Sequence, residues 1–85
     1  MDHLEPLPET VPGRYRHYKG GLYEVLGVAR HSETLEPMVV YRSLYNDTGL
    51  WLRPHAMFFG LVEVQGRLQP RFAPPKDAAG PQPGG

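Results

Sequence analysis

The chain has 85 residues, nine Lys and Arg against nine Asp and Glu, and no cysteine. That length allows one small domain. The even charge gives no bulk signature of a nucleic-acid or membrane binder, and the missing cysteines exclude disulfides, thiol catalysis and zinc–thiolate sites.

The first twelve residues hold Asp2, Glu5 and Glu9, three prolines and no Lys or Arg. They read as a flexible acidic leader. The start, MDHLEPLPETVPG, lacks the basic opening and apolar core of a signal peptide. No apolar run reaches the roughly 20 residues that span a bilayer. A cytoplasmic location and no membrane partner are therefore expected. Residues 13–72 carry eight basic residues against five acidic ones and are the expected domain. Residues 73–85, APPKDAAGPQPGG, offer almost no apolar surface to bury and are expected to be disordered.

Within the domain the signals are those of strands. GRYRHYK and LYEVLGVARH alternate with period two on either side of Gly20-Gly21 and predict a β-hairpin. Gly27 inside the second run predicts a bulge or a close backbone approach. PMVVYRSLY is a third strand, with Val39, Tyr41, Ser43 and Tyr45 on one face. Asn46-Asp47-Thr48-Gly49 is turn chemistry. Leu50 to Arg53 is a fourth strand, stopped by Pro54, and His55 to Phe58 fits one helical or 3₁₀ turn. Leu61–Val64 and Arg67–Phe72 flank Gln65-Gly66 as a last hairpin. Five or six short strands in so small a domain predict an all-β fold, a strongly bent sheet closed as an SH3-like barrel.

The words YRHYKGGLYEVLGVARHSET, VVYRSLY, WLRPHAMF and PRF, in this order, resemble the bacterial Domain of Unknown Function 1653 family. The resemblance covers residues 13–72. It implies a small SH3-like barrel and no assigned reaction.

Four constellations could carry chemistry. His31, Ser32, Glu33 and Thr34 put a base, two hydroxyls and a carboxylate on successive residues. Neighbours on extended chain point to alternate sides, so a Ser-His-acid triad does not assemble locally. A capped loop or a ligand-binding loop fits better. His17, His31 and His55 would make a metal or small hydrolytic site only if the fold brought them together. Nine aromatic residues fall inside the domain, more than it can bury. Tyr23, Tyr41, Trp51, Phe58 and Phe72 are the expected core; Tyr15, Tyr18 and Tyr45 are expected to be partly exposed. Arg53 and Arg71 are expected to fasten a loop, paired to Glu33, Glu36 or Glu63.

The reading that follows is a non-enzymatic binding module. His31, Ser32, Glu33, Thr34, Tyr18, Tyr45 and Arg53 are its ligand-binding residues. No catalytic residue, metal or cofactor is expected. The partner is a nucleic acid, a peptide or a small anion, and the protein is expected to be a monomer. The alternatives are the histidine-centred site and an adaptor that pairs through an exposed barrel edge.

Overall fold

The computed structural model describes residues 4–75. The chain folds as β1 (Gly13–His17), β2 (Leu22–Arg30), β3 (Pro37–Ser43), β4 (Leu50–Pro54), α1 (His55–Phe58), β5 (Leu61–Val64), β6 (Arg67–Pro70) and β7 (Phe72–Ala73). The all-β expectation holds: seven strands form two antiparallel sheets, with one short helical turn. The larger sheet has the order β4-β3-β2-β1-β7, and β5-β6 is a separate hairpin.

Local chemistry explains most of these elements. Gln65 and Gly66 both have positive φ, as a two-residue turn of mirror-image type requires, and Val64 pairs with Arg67 across it. The bulge lies between Val25 and Gly27, leaving Leu26 without a partner on β3. A Cβ on Gly27 would meet nothing, so of the two expected roles it is the bulge that Gly27 serves. In the β3–β4 turn Thr48 Oγ1 donates to Asn46 Oδ1, and Gly49 sits at positive φ.

The expected sixth strand, 67–72, is broken at Arg71. Its first part pairs with β5. Its last residue, Phe72, and the following Ala73 pair with His17 and Arg16 on β1. Arg71 bridges the change of sheet: its N–H donates to Gly60 O, and its carbonyl accepts from Tyr18 N.

The core lies on the concave face: Tyr15, Val25, Val39, Tyr41, Phe58 and Phe72, with Tyr23 and Phe59 packed against it. Phe58, delivered by α1, stacks on Phe72 at 3.9 Å between centroids. The bend carries strands at opposite edges toward each other, so the Arg53 guanidinium of β4 lies 5.8 Å from the Phe72 ring of β7. Two aromatic expectations are corrected. Trp51 is 47% exposed, because β4 has a neighbour on one side only. Tyr15 is 7% exposed, because β1 lies between β2 and β7, and its hydroxyl donates to Val11 O.

Residues 4–12 form no strand and lie against the body of the domain. Glu5 O accepts from Arg30 Nη2, and Thr10 Oγ1 is 3.2 Å from His55 Nε2. Of the expected disordered tail, residues 76–85 lie outside the described residues, as do residues 1–3 of the leader. None of the described helices is long and apolar enough to cross a membrane.

Candidate aromatic–arginine site

Alternation places Tyr41 and Ser43 on the concave face of β3, and pairing with β2 sets Tyr23 opposite Ser43. On the other flank, Trp51 stands opposite Tyr41, and Arg53 opposite Val39. Tyr41 is thus the diagonal neighbour of Arg53, and Arg53 Nε donates to its hydroxyl at 3.3 Å. Tyr45 follows β3 and turns back over Tyr23, ring centroids 5.7 Å apart and hydroxyls 2.7 Å apart. Together with Asn46 and Thr48 these side chains line a cavity of about 250 Å³. Trp51 Nε1 donates to Thr48 Oγ1, fixing the indole at the rim.

Gly21 makes this closure possible. A Cβ there would stand 2.8 Å from Tyr45 Cε1 and 3.3 Å from Tyr23 Cε1. The hydrogen bond to Tyr45, then burial, pushes the Tyr23 hydroxyl up to about 12. The floor of the pocket is electropositive. Among the described residues, Arg53 has no carboxylate within ion-pair distance, and its terminal nitrogens make no hydrogen bond; the ion pair there is Arg42–Glu24 at 2.7 Å, cross-strand on the other face. His17 reports the same field. Its imidazole is held below the ordinary range first by burial, then by the positive charges of Arg53, Arg71 and Lys19.

The fold divides the residues picked out from the sequence. Tyr45 and Arg53 line the pocket. Tyr18 does not: its ring lies 4.6 Å from that of His17 and lines a different hollow, with Gln69, Pro70 and Pro74. His31, Ser32, Glu33 and Thr34 lie in the β2–β3 loop, beyond the end of β3 remote from Tyr45. Seven residues of β3 separate the two ends, on the order of 20 Å at the usual strand rise.

The HSET loop is knitted to itself. His31 Nδ1 accepts the N–H groups of Glu33 and Thr34, Thr34 Oγ1 donates to Glu36 Oε1 and accepts from Glu36 N, and His31 and Leu35 are bonded through the backbone. Arg30 Nη1 donates to Leu35 O. The side chains of Ser32 and Glu33 are exposed and form no hydrogen bond among the described residues. The loop is fastened by His31 and Arg30. Arg53 is bonded to Tyr41, and Arg71 Nε donates to Met57 O, so neither makes the pairing expected with Glu33, Glu36 or Glu63.

The three histidines have separate neighbours. His17 Nδ1 accepts from Lys19 N, His31 serves its own loop, and His55 packs on Phe59 beside Thr10. Among the described residues no three or more His, Asp or Glu side chains are placed to share a metal ion. The pocket residues not singled out from the sequence are Tyr23, Tyr41, Ser43, Asn46, Thr48 and Trp51. The alternation of Tyr41, Ser43 and Tyr45 was a visible signal for three positions on this face.

No curated protein matches the sequence. A crystal structure of a DUF1653 protein from Bordetella bronchiseptica is 43% identical, with a TM-score of 0.69; the match covers 76% of this chain and 86% of that one. The family model described as protein of unknown function DUF1653 matches residues 13–74, from the start of β1 to just past β7. The chain therefore belongs to the DUF1653 family.

Proposed function

We propose that the protein is a non-enzymatic binding module, and that its concave pocket seats a ligand bearing a carboxylate or phosphate on Arg53. The observation that carries this is an arginine with no carboxylate partner among the described residues, held by Tyr41 on the floor of a cavity walled by Tyr23, Tyr45 and Trp51. Guanidinium groups favour such anions because the fork offers two parallel donors. Aromatic walls favour a flat or apolar body next to the anion. A cavity of about 250 Å³ lies just below the roughly 300–1,000 Å³ usual for small-molecule sites, so it suits one amino-acid or nucleotide unit better than a whole cofactor. A cytoplasmic location goes with this reading and is supported by the cysteine-free sequence.

Trp51 at the rim supplies the assay. Titration with thymidine monophosphate or a short peptide with a free C-terminus should change indole fluorescence. Arg53→Gln should weaken the binding at least tenfold, and Arg53→Lys should not restore it, since one ammonium cannot replace the fork. Alanine at Ser32 and Glu33 should leave affinity unchanged. Binding that survives Arg53→Gln would place the site elsewhere.

A second reading, an adaptor working through a sheet edge, is favoured by β4. It is an edge strand whose Leu50, Trp51 and Leu52 are all exposed. Sedimentation across a concentration series tests its homotypic form: a monomer throughout removes self-pairing, and Leu52→Lys should break any dimer that does form.

A further inference from the structure

The pocket does not end at Tyr45. A second cavity, about 620 Å³, adjoins it and shares Tyr23 and Tyr45 with it as a common wall. Its other side is the β1–β2 loop, with Arg16, His17 and Lys19 around Gly20-Gly21. Arg16 is tied to this loop, its Nη1 donating to Gly20 O at 2.9 Å. Resting on the pocket reading above, we infer that the ligand is single-stranded nucleic acid, laid over the Tyr23–Tyr45 ridge from the Arg53 pocket to Arg16 and Lys19.

Three observations favour this polymer over a lone anion or a peptide. The first is charge. Neither cavity is lined by any carboxylate, whereas the second adds two further cations, Arg16 and Lys19, to its lining. Glu24 is bound to Arg42 on the opposite face, Glu33 and Glu36 lie in the remote loop, Glu63 lies in the β5–β6 hairpin, and Asp47, exposed in the β3–β4 turn between Asn46 and Thr48, flanks the pocket without lining it. A small anion needs one cation; a row of cations matches the repeating charge of a phosphate chain. The second is aromatic exposure. Tyr45 is 61% exposed and Trp51 47%, so both aromatic residues stand largely open to solvent on the ridge and rim. Open rings interleaved with cations bind unpaired bases, whose faces are free, and not bases already stacked in a duplex. The third is size. Two adjoining cavities divided by a ridge match a ligand of linked flat units better than a single compact molecule.

Three cations, Arg16, Lys19 and Arg53, set the expected salt response. At about 0.7 counterion per phosphate contact for single strands, log K should fall against log salt with a slope near −2. The test is Trp51 fluorescence of the full chain against a thymidine decamer, thymidine monophosphate, and an acidic proline-rich decapeptide. The decamer should bind more tightly than the mononucleotide and show that slope. The double variant Arg16→Gln, Lys19→Gln should weaken the decamer tenfold or more at 50 mM salt and leave the mononucleotide unchanged. Both residues are exposed, so the variant should fold. If the mononucleotide binds but the decamer binds no better, or ignores the double variant, the track is wrong and the pocket stands. If the peptide alone binds, the partner class is wrong. If none of the three binds, pocket and track fall together.

Discussion

Gly21 has room for a hydrogen atom and little else, and that room lets Tyr45 lie against Tyr23. Gly21→Ala should therefore push the Tyr45 ring away and break the hydroxyl pair. The displaced ring is exposed and hinged at its own side chain, so the stability cost should stay below about 1 kcal/mol. The Tyr23 hydroxyl should then titrate nearer its ordinary value of 10 instead of about 12. Tyrosinate absorbance against pH reads this directly, and Tyr45→Phe should give the same drop. The raised value also fixes a sign. The folded state holds this proton more firmly than the unfolded one, so the contribution is complete below pH 10 and is lost as pH rises toward 12. His17 works in the opposite range. Its lowered folded value means that the unfolded chain binds the proton first, so stability falls as the solution is acidified through about 6.5 and below. Urea midpoints at pH 7.5 and 5.5 should differ less in His17→Asn, which keeps a side-chain acceptor for Lys19 N–H.

At the scale of elements, the HSET loop shows how a sequence that resembles a site can be a clasp. His31 Nδ1 takes two backbone N–H groups that a six-residue loop would otherwise leave to water. Each such bond is worth about 1 kcal/mol net, so His31→Ala should lower stability by about 1–2 kcal/mol in urea unfolding without altering ligand affinity. Leu35 sits at φ +67 in the same loop, a conformation unfavourable for a residue with a bulky side chain. Leu35→Asn should raise stability by about 0.5–1 kcal/mol, with the rise in urea midpoint as the readout. No gain would mean that the half-exposed leucine side chain contributes as much as the backbone loses.

Across the whole molecule, what could be read from the sequence was what depends on near neighbours. The turns at Gly20-Gly21, Asn46–Gly49 and Gln65-Gly66, the Gly27 bulge, the helical turn at His55–Phe58 and the period of each strand are all local. Strand order is not local, and each misplacement traces to it. Trp51 stays exposed because β4 is an edge; Tyr15 is buried because Phe72 and Ala73 leave the hairpin to close over β1. The same order decides the candidate site. Tyr45 and Arg53 line one pocket because Tyr45 folds back over Tyr23 and Arg53 reaches along β3 to the Tyr41 hydroxyl, while the HSET loop lies beyond the end of β3 remote from Tyr45. Residues 4–12 are acidic and proline-rich, and their contacts to Arg30, Tyr15 and His55 run mostly through backbone carbonyls, which composition does not reveal.

The measurement that bears most directly on the concave pocket is a heteronuclear NMR titration of the labelled full chain with the thymidine decamer. Shifts should gather on Tyr23, Tyr45, the Trp51 indole N–H, Arg53 Nε and the Arg16–Gly21 segment, and leave His31–Thr34 unmoved. Shifts confined to His31–Thr34, with the tyrosine and Arg53 signals still, would contradict the pocket and return the HSET loop to the centre of the function.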